Sequence, residues 1–301
     1  MNGVKFIVNP VAGRGRGRRV WQAVQEMLER DGYPYSVAFS SRPGEGPMLA
    51  RQAAREGCRL VVALGGDGTV NEVANGIMGS GAALGIVPAG TGSDYIRSLP
   101  LPKDPLEAAR TLYTGRRLTV DVGLVNNRYF LGVTGIGIDA EVCRRVNEDL
   151  TWLGGKKAYI AGLLATLVSY RPQPVKIVMD QLTLEEEVMF VAVANARFFG
   201  GGMEIAPQAN LQDGLLDVCV IKALPKLELL RAFPRVFAGS HTDHPAFKAY
   251  RTRRVAITGQ YPFSIQAEGE LIGRLPLEAR ILPGALSVMV SKSQGEDKGR
   301  G

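Results

Sequence analysis

Leu60-Val61-Val62-Ala63-Leu64 runs directly into Gly65-Gly66-Asp67-Gly68-Thr69, and Val70, Val73, Ala74 and Ile77 follow. An unbroken apolar run suits a strand covered on both faces. The later apolar positions fall on one side of a helix. Strand, glycine loop and helix in that order form the repeating unit of a parallel sheet.

The same pattern extends outward. Val4 to Val8 reads as a strand. Asn9-Pro10-Val11-Ala12-Gly13 and an Arg/Gly stretch to Arg19 follow it. Val20, Val24, Met27 and Leu28 then mark a helix face. Tyr35 to Ser40 is a second strand candidate, and Pro47 to Glu56 a helix with Pro47 in its first turn. Ala83 to Val87 is the next strand, followed by Pro88-Ala89-Gly90-Thr91-Gly92-Ser93-Asp94, and Pro105 to Thr114 is a further helix. This order predicts a mostly parallel sheet with helices on both faces.

From about Arg117 the pattern changes. Thr119 to Val125 and Arg128 to Val133 read as strands joined at Asn126-Asn127. A helix covers Lys156 to Ser169, and Leu230, Phe233 and Phe237 suggest another. Pro174 to Met179, Glu187 to Ala194, Leu215 to Ile221, Arg254 to Thr258, Phe263 to Ala267 and Leu277 to Leu282 are short strand candidates. They predict a β-rich second domain, a sandwich or barrel-like array. The expected division is 1–120 for the α/β domain and 121–284 for the β-rich one. A segment near 285–292 is a candidate return to the first domain, and 291–301 is expected to be a disordered tail.

A chain of 301 residues suits about two domains. Apolar residues at 46% and charged residues at 22% are ordinary globular usage, so a core forms without disulfides. Cys58, Cys143 and Cys219 have no paired spacing, which argues against a disulfide framework or a cysteine zinc site. With only His241 and His244, chemistry built on several histidines is excluded. A formal charge of +7 points to a nucleotide, a nucleic acid or an acidic membrane, or to a solvated basic surface. Met1 to Val8 carries no signal-peptide pattern, and the longest nearly apolar run, Ala158 to Val168, is too short to span a bilayer. A cytoplasmic location with transient membrane association is expected.

The glycine-bearing loops Asn9 to Gly17, Gly65 to Thr69 and Pro88 to Asp94 each follow a predicted parallel strand. They should therefore meet at the carboxyl edge of the sheet, where ligands of open α/β folds bind. Glycine lets backbone N–H groups approach an anion. Thr69-x-x-Glu72 reads as a capping box, and a helix start aimed at this edge favours phosphate. Arg14, Arg16, Arg18 and Arg19 add positive charge around the first loop. Asp67 and Asp94 imply Mg²⁺ or a sugar hydroxyl beside the phosphates, or else serve only as turn and cap residues. No GxxxxGK[ST] loop is present, and Gly135-x-Gly137-x-x-Ala140 reads as a tight turn leading into a helix.

Gly65-Gly66-Asp67-Gly68-Thr69-Val70-Asn71-Glu72 resembles the GGDGTxNE motif of the diacylglycerol kinase catalytic-domain family, which includes bacterial lipid kinases and the sphingosine and ceramide kinases. Asn9-Pro10-Val11-Ala12-Gly13 resembles its NPxxG motif, and Pro88 to Asp94 its PxGTxND motif with Ser93 for Asn. The resemblance implies ATP between the two domains, with contacts on Asn9, Pro10, Val11, Ala12, Gly13, Ser40, Gly65, Gly66, Asp67, Gly68, Thr69, Val70, Asn71 and Thr91. It implies that Glu268-Gly269-Glu270 stands for the catalytic DGE motif, with Glu270 as general base and Glu268 in place of Asp. It also implies a structural Mg²⁺ held by Asn210, Asp213 and the Leu215 carbonyl, and a basic residue near the phosphates at Lys156.

The implied activity is transfer of the ATP γ-phosphoryl group to a lipid hydroxyl, with diacylglycerol giving phosphatidic acid as the first choice. An NAD kinase-like activity and a catalytically inactive lipid-binding protein are the alternatives. A homodimer is allowed. Glu268 and Glu270, two apart, could share a face of a strand or its turn. His241-x-x-His244 reads as a polar surface loop. Arg251-Thr252-Arg253-Arg254 reads as a solvated turn, with membrane phosphates as the other reading. Ala158 to Val168 reads as a core helix, and the interleaved aromatics of nucleic-acid binding are not evident.

Overall fold

The structure is a computed structural model, and residues 3–149 and 155–292 are described. The chain forms two compact units, one of residues 1–120 with 284–301 and one of 121–283.

In the first unit the order is β1 (Val4–Val8), α1 (Ala12–Arg30), β2 (Ser36–Phe39), α2 (Gly46–Arg55), β3 (Leu60–Gly65), α3 (Asp67–Ile77), β4 (Ala83–Pro88), α4 (Asp94–Arg97) and α5 (Pro105–Thr114). β1 pairs in parallel with β2 and β3, and β3 pairs in parallel with β4, giving the spatial order β2-β1-β3-β4. Every residue of β3 and β4 is buried, as a parallel strand covered on both faces requires. Phe6, Val8, Val62 and Leu64 meet Val20, Val24, Met27 and Leu28 of α1 and Leu112 of α5 in one core. Trp21 tilts against Phe6 with ring centroids 5.4 Å apart.

The second unit begins in β5 (Arg116–Val125) and continues through β6 (Arg128–Phe130), β7 (Val133–Gly137), α6 (Ile138–Glu148), α7 (Gly155–Ser169), β8 (Gln173–Met179), β9 (Thr183–Ala194), β10 (Phe198–Phe199), β11 (Met203–Glu204), β12 (Leu216–Lys222) and α8 (Lys226–Ala232). Two short 3₁₀ turns, Phe233–Ala238 and Ser240–Asp243, follow, then β13 (Phe247–Thr252), β14 (Arg254–Thr258), β15 (Ser264–Ala267) and β16 (Glu270–Arg274). β17 (Leu277–Val290) starts in this unit and ends in the first, where Val288 lies parallel to Leu84 of β4. The pairing within the second unit is antiparallel. β9 is the pivot: its first half pairs with β8 and its second half lies between β7 and β12. One strand serving two partner sets is how a sandwich turns its corner.

The fold is an N-terminal α/β unit plus a β-rich, sandwich-like unit, as the periodicities predict. Several local expectations change. The predicted strand Arg128 to Val133 is two strands with different partners, split at Leu131-Gly132. Gly135 lies within β7, so only Gly137 (φ 106°) forms the turn into α6. β13 and β16 were not read from the sequence, and α6 is the helix expected after the Gly137 turn, for which no bounds were set. The helix read over Lys156 to Ser169 is α7, in which Leu163 and Leu167 are buried. The Lys156 side chain and the tail from 293 lie outside the described residues.

Candidate active site

β1 and β3 are neighbours at the point where the strand order reverses, β2 going to one side and β4 to the other. Such a switch point leaves a crevice beyond the strand ends. The loops after Val8 and Gly65 open into it side by side, and Asn9 Nδ2 donates to Thr69 Oγ1 at 3.1 Å. A Cβ on Gly13 would lie 2.3 Å from the Ala89 carbonyl oxygen, and one on Gly90 would lie 2.5 Å from Gly66 Cα. The third loop therefore packs against both of the others. The Tyr95 N–H donates to Asp67 Oδ1 at 3.2 Å, a second tie between loops. Three turns far apart in sequence thus meet at one rim of the first unit.

Gly13, Arg14 and Gly15 all have left-handed backbones (φ 56°, 61° and 85°), so the regular part of α1 starts after them. Val11 is 73% exposed, and Pro10 accepts from the Arg18 N–H at 3.1 Å through its carbonyl. Ser40 ends the neighbouring strand, its N–H donating to Val8 O at 2.9 Å, which sets it beside Asn9. Thr91 is exposed, whereas Val70 and Asn71 are buried at 2% and are held in packing. Asp94 is buried and lies 3.7 Å from the Arg97 guanidinium.

The capping box is not formed. α3 begins at Asp67 with Gly66 as its cap residue, and the Glu72 carboxylate instead accepts from the Gly44 N–H at 2.9 Å and the Gly46 N–H at 3.1 Å. Thr69 is the third residue of the helix and not its cap, so the spacing to Glu72 does not form the box.

In the second unit Glu268 and Gly269, at φ 55° and 80°, form the two-residue turn between β15 and β16, where Ala267 pairs with Glu270. Such turns need two left-handed residues. The chain reverses between the two glutamates, so they do not share a strand face as the spacing suggested. The Glu268 carboxylate accepts from the Leu131 N–H at 2.8 Å and the Gly132 N–H at 2.6 Å. Glu270 is half exposed and forms an ion pair with Arg128. Residues 128–132 therefore hold both carboxylates. Buried Asn195 fixes that segment, donating from Nδ2 to the Asp121 and Leu131 carbonyls at 3.1 and 2.9 Å. Arg128 and Asn195 were missed in the sequence, because nothing in their local pattern points to a partner more than 60 residues away.

Asn210, Asp213 and Leu215 lie in the turn before β12. Asn210 Oδ1 accepts from the Gln212 N–H at 3.1 Å, Asp213 Oδ1 accepts from the Leu215 N–H at 3.0 Å, and Asp213 also pairs with Arg251. Asp121 Oδ2 accepts from the Gly214 N–H at 2.7 Å. Nearby Asp217 is 3% exposed, and its Oδ2 has no hydrogen-bond partner. Burial pushes its carboxyl up to about 6, against the pull of Arg251 and with help from Asp213. Asn210 and Asp213 carry side-chain oxygens of the kind a hard divalent cation takes, here engaged by the Gln212 and Leu215 N–H groups and by Arg251. Among the described residues no group of three His, Cys, Asp or Glu side chains converges on a metal position.

The second unit also contains an apolar cavity lined by residues that include Leu163, Phe190, Phe199, Phe233 and Val236. Both histidines border it. His241 is 6% exposed, with its ring edge-on to Phe247 at 4.7 Å, so the expected polar surface loop is a buried wall. Asp139, at the start of α6, lies on the same lining.

A parallel-sheet rim built to receive phosphates and a separate antiparallel unit with paired carboxylates and an apolar cavity define a phosphotransferase of the two-unit α/β plus β-sandwich class. The comparisons narrow this. Residues 3–125 match the diacylglycerol kinase catalytic domain, and residues 132–290 match the YegS C-terminal NAD kinase beta sandwich-like domain. The diacylglycerol kinase of Bacillus subtilis is 30% identical over 299 residues, covering 98% of this chain and 99% of that one. That of Mycobacterium tuberculosis is 31% identical over 296 residues, covering 95% and 94%. The crystal structure of a candidate diacylglycerol kinase from Bacillus anthracis superposes with a TM-score of 0.81 at 26% identity, covering 96% and 95%. The chain belongs to the diacylglycerol kinase family and is a lipid kinase. No helix among the described residues is long and apolar enough to cross a membrane.

Proposed function

We propose that this kinase transfers the γ-phosphoryl group of ATP to the free hydroxyl of diacylglycerol, giving phosphatidic acid and ADP. The observation that carries the reading is the meeting of the three glycine loops at one rim. Asn9 to Gly13, Ser40, Gly65 to Asn71 and Thr91 hold the nucleotide. Asp67 and Asp94 orient its phosphates with their Mg²⁺. Phosphoryl transfer is mostly positioning and charge stabilisation, so these contacts supply most of the catalysis.

Glu270 takes the proton of the acceptor hydroxyl as its oxygen bonds to the γ-phosphorus and the bond to the β–γ bridging oxygen breaks. Glu268 anchors the turn that carries this base. Asn210, Asp213 and the Leu215 carbonyl would hold a divalent cation, which would serve structurally by tying the turn to β12. The apolar cavity takes acyl chain.

The test is transfer of labelled γ-phosphate from ATP to diacylglycerol in mixed micelles, with NAD as the competing acceptor. Labelled phosphatidic acid is expected. Labelled NADP, or no labelled lipid, would reject the reading. Glu270→Gln should lower kcat by about 10²–10⁴-fold and leave ATP binding intact.

A further inference from the structure

Asn126 and Asn127 both have left-handed backbones, φ 43° and 75°, and join β5 to β6 with Val125 facing Arg128. Asparagine is favoured in such a two-residue turn. Asn126 also ties the turn to the start of β17. Its N–H donates to the Glu278 carbonyl at 3.0 Å, its Oδ1 accepts from the Glu278 N–H at 2.8 Å, and its Nδ2 donates to the Pro276 carbonyl at 3.0 Å. At the other end of β6, Phe130 is fully buried against Gly123, where a Cβ would lie 2.1 Å from its ring. The Arg128 backbone is therefore fixed on both sides. Its side chain is 35% exposed and reaches Glu270 Oε2 through Nη2, its one ion pair among the described residues. Glu268, the other acid of the turn, is taken up by the Leu131 and Gly132 N–H groups.

An ion pair this open to solvent adds little to stability. It does restrict Glu270. A free glutamate has roughly three wells at χ1, three at χ2 and two at χ3, about 18 in all. Holding Oε2 selects a few of them and leaves Oε1 to meet a proton. Placing a reacting group beforehand lowers the entropy left to lose in the transition state. We propose that Arg128 is the positioning residue of the base: it holds Glu270 Oε2 so that Oε1 faces the acceptor hydroxyl. This role rests on Glu270 being the base and adds the residue that aims it.

The experiment is steady-state kinetics of the full chain with ATP and diacylglycerol in mixed micelles, comparing R128Q, R128M, R128K, E270Q and the double variant R128Q/E270Q. R128Q should lower kcat about tenfold, with the KM for ATP and the melting temperature unchanged. R128M keeps the aliphatic stem and should match R128Q, which separates lost charge from lost packing. R128K restores a positive charge and should recover most of the rate. In E270Q no base remains to be aimed, so adding R128Q should change the residual rate less than about twofold. Wild-type kcat in R128Q and R128M beside an impaired E270Q would overturn the proposal and leave the base in place. A loss in the E270Q background equal to that in the wild type would also overturn it, because Arg128 would then act on something other than the base. A wild-type rate in E270Q would reject Glu270 as base, and the role of Arg128 would fall with it.

Discussion

The Tyr95 N–H donates to Oδ1 of Asp67 at 3.2 Å, across 28 residues of sequence. The acid at the start of α3 is thus an acceptor for the first turn of α4, and the second and third glycine loops are held together. The hydrogen bond that shapes the loop also sets where the second carboxylate oxygen of Asp67 lies.

Gly90→Ala tests the rim. Its Cβ would lie 2.5 Å from Gly66 Cα, a backbone atom that cannot rotate away. A loss of about 1–3 kcal/mol in unfolding free energy is expected, with a raised KM for ATP. Gly68→Ala, inside α3, meets nothing within 4 Å and should keep stability or raise it by about 0.4–1 kcal/mol. Denaturant melts and ATP titrations of the two variants check the contrast.

Ser93 has a left-handed backbone, φ 53° and ψ 43°. Asparagine tolerates that region better than serine, since its side chain bonds locally. Ser93→Asn should stabilise the protein by about 0.5–1 kcal/mol, read as a shift in denaturation midpoint. A lower midpoint would show that the serine hydroxyl has a partner of its own.

Glu268→Ala would strip the acceptor from the Leu131 and Gly132 N–H groups. Buried donors left unpaired cost about 1–3 kcal/mol each, so the thermal midpoint should fall clearly. Glu268→Gln keeps a carbonyl oxygen and should fall less. Equal midpoints for the two would mean that water reaches both N–H groups.

Burial holds the His241 imidazole below its ordinary value of 6.5. The neutral ring is favoured in the folded state, so its contribution is fully present above about pH 6.5. It is lost as pH falls from there towards the lowered value. Thermal midpoints measured from pH 8 to pH 5 should drop in the acid half of the range. His241→Phe should flatten that drop, and an unchanged slope would assign it to other groups.

Much of the first unit was legible in its residues. Leu60–Leu64 and Ala83–Val87 are strands because they are apolar throughout, and Val20, Val24 and Leu28 form a buried face because they repeat at helical spacing. The second unit was less legible. β13 reads Phe-Lys-Ala-Tyr-Arg-Thr and β16 reads Glu-Leu-Ile-Gly-Arg, too polar to signal strands, and their partners rather than their composition make them so. Glu72 shows the same limit at single-residue scale, since its local pattern suggested a cap while its carboxylate found the Gly44 and Gly46 N–H groups.

The sequence by itself determined the alternation of strands and helices, the glycine loops after the parallel strands and the family motifs, because each depends on neighbours a few residues apart. Only the tertiary structure decided that Arg128 meets Glu270, that Glu268 is tied down by Leu131 and Gly132, and that His241 lines an apolar cavity. Those pairings join residues far apart along the chain. Which distant groups meet is set by sheet register and core packing, and no local pattern of side chains encodes it.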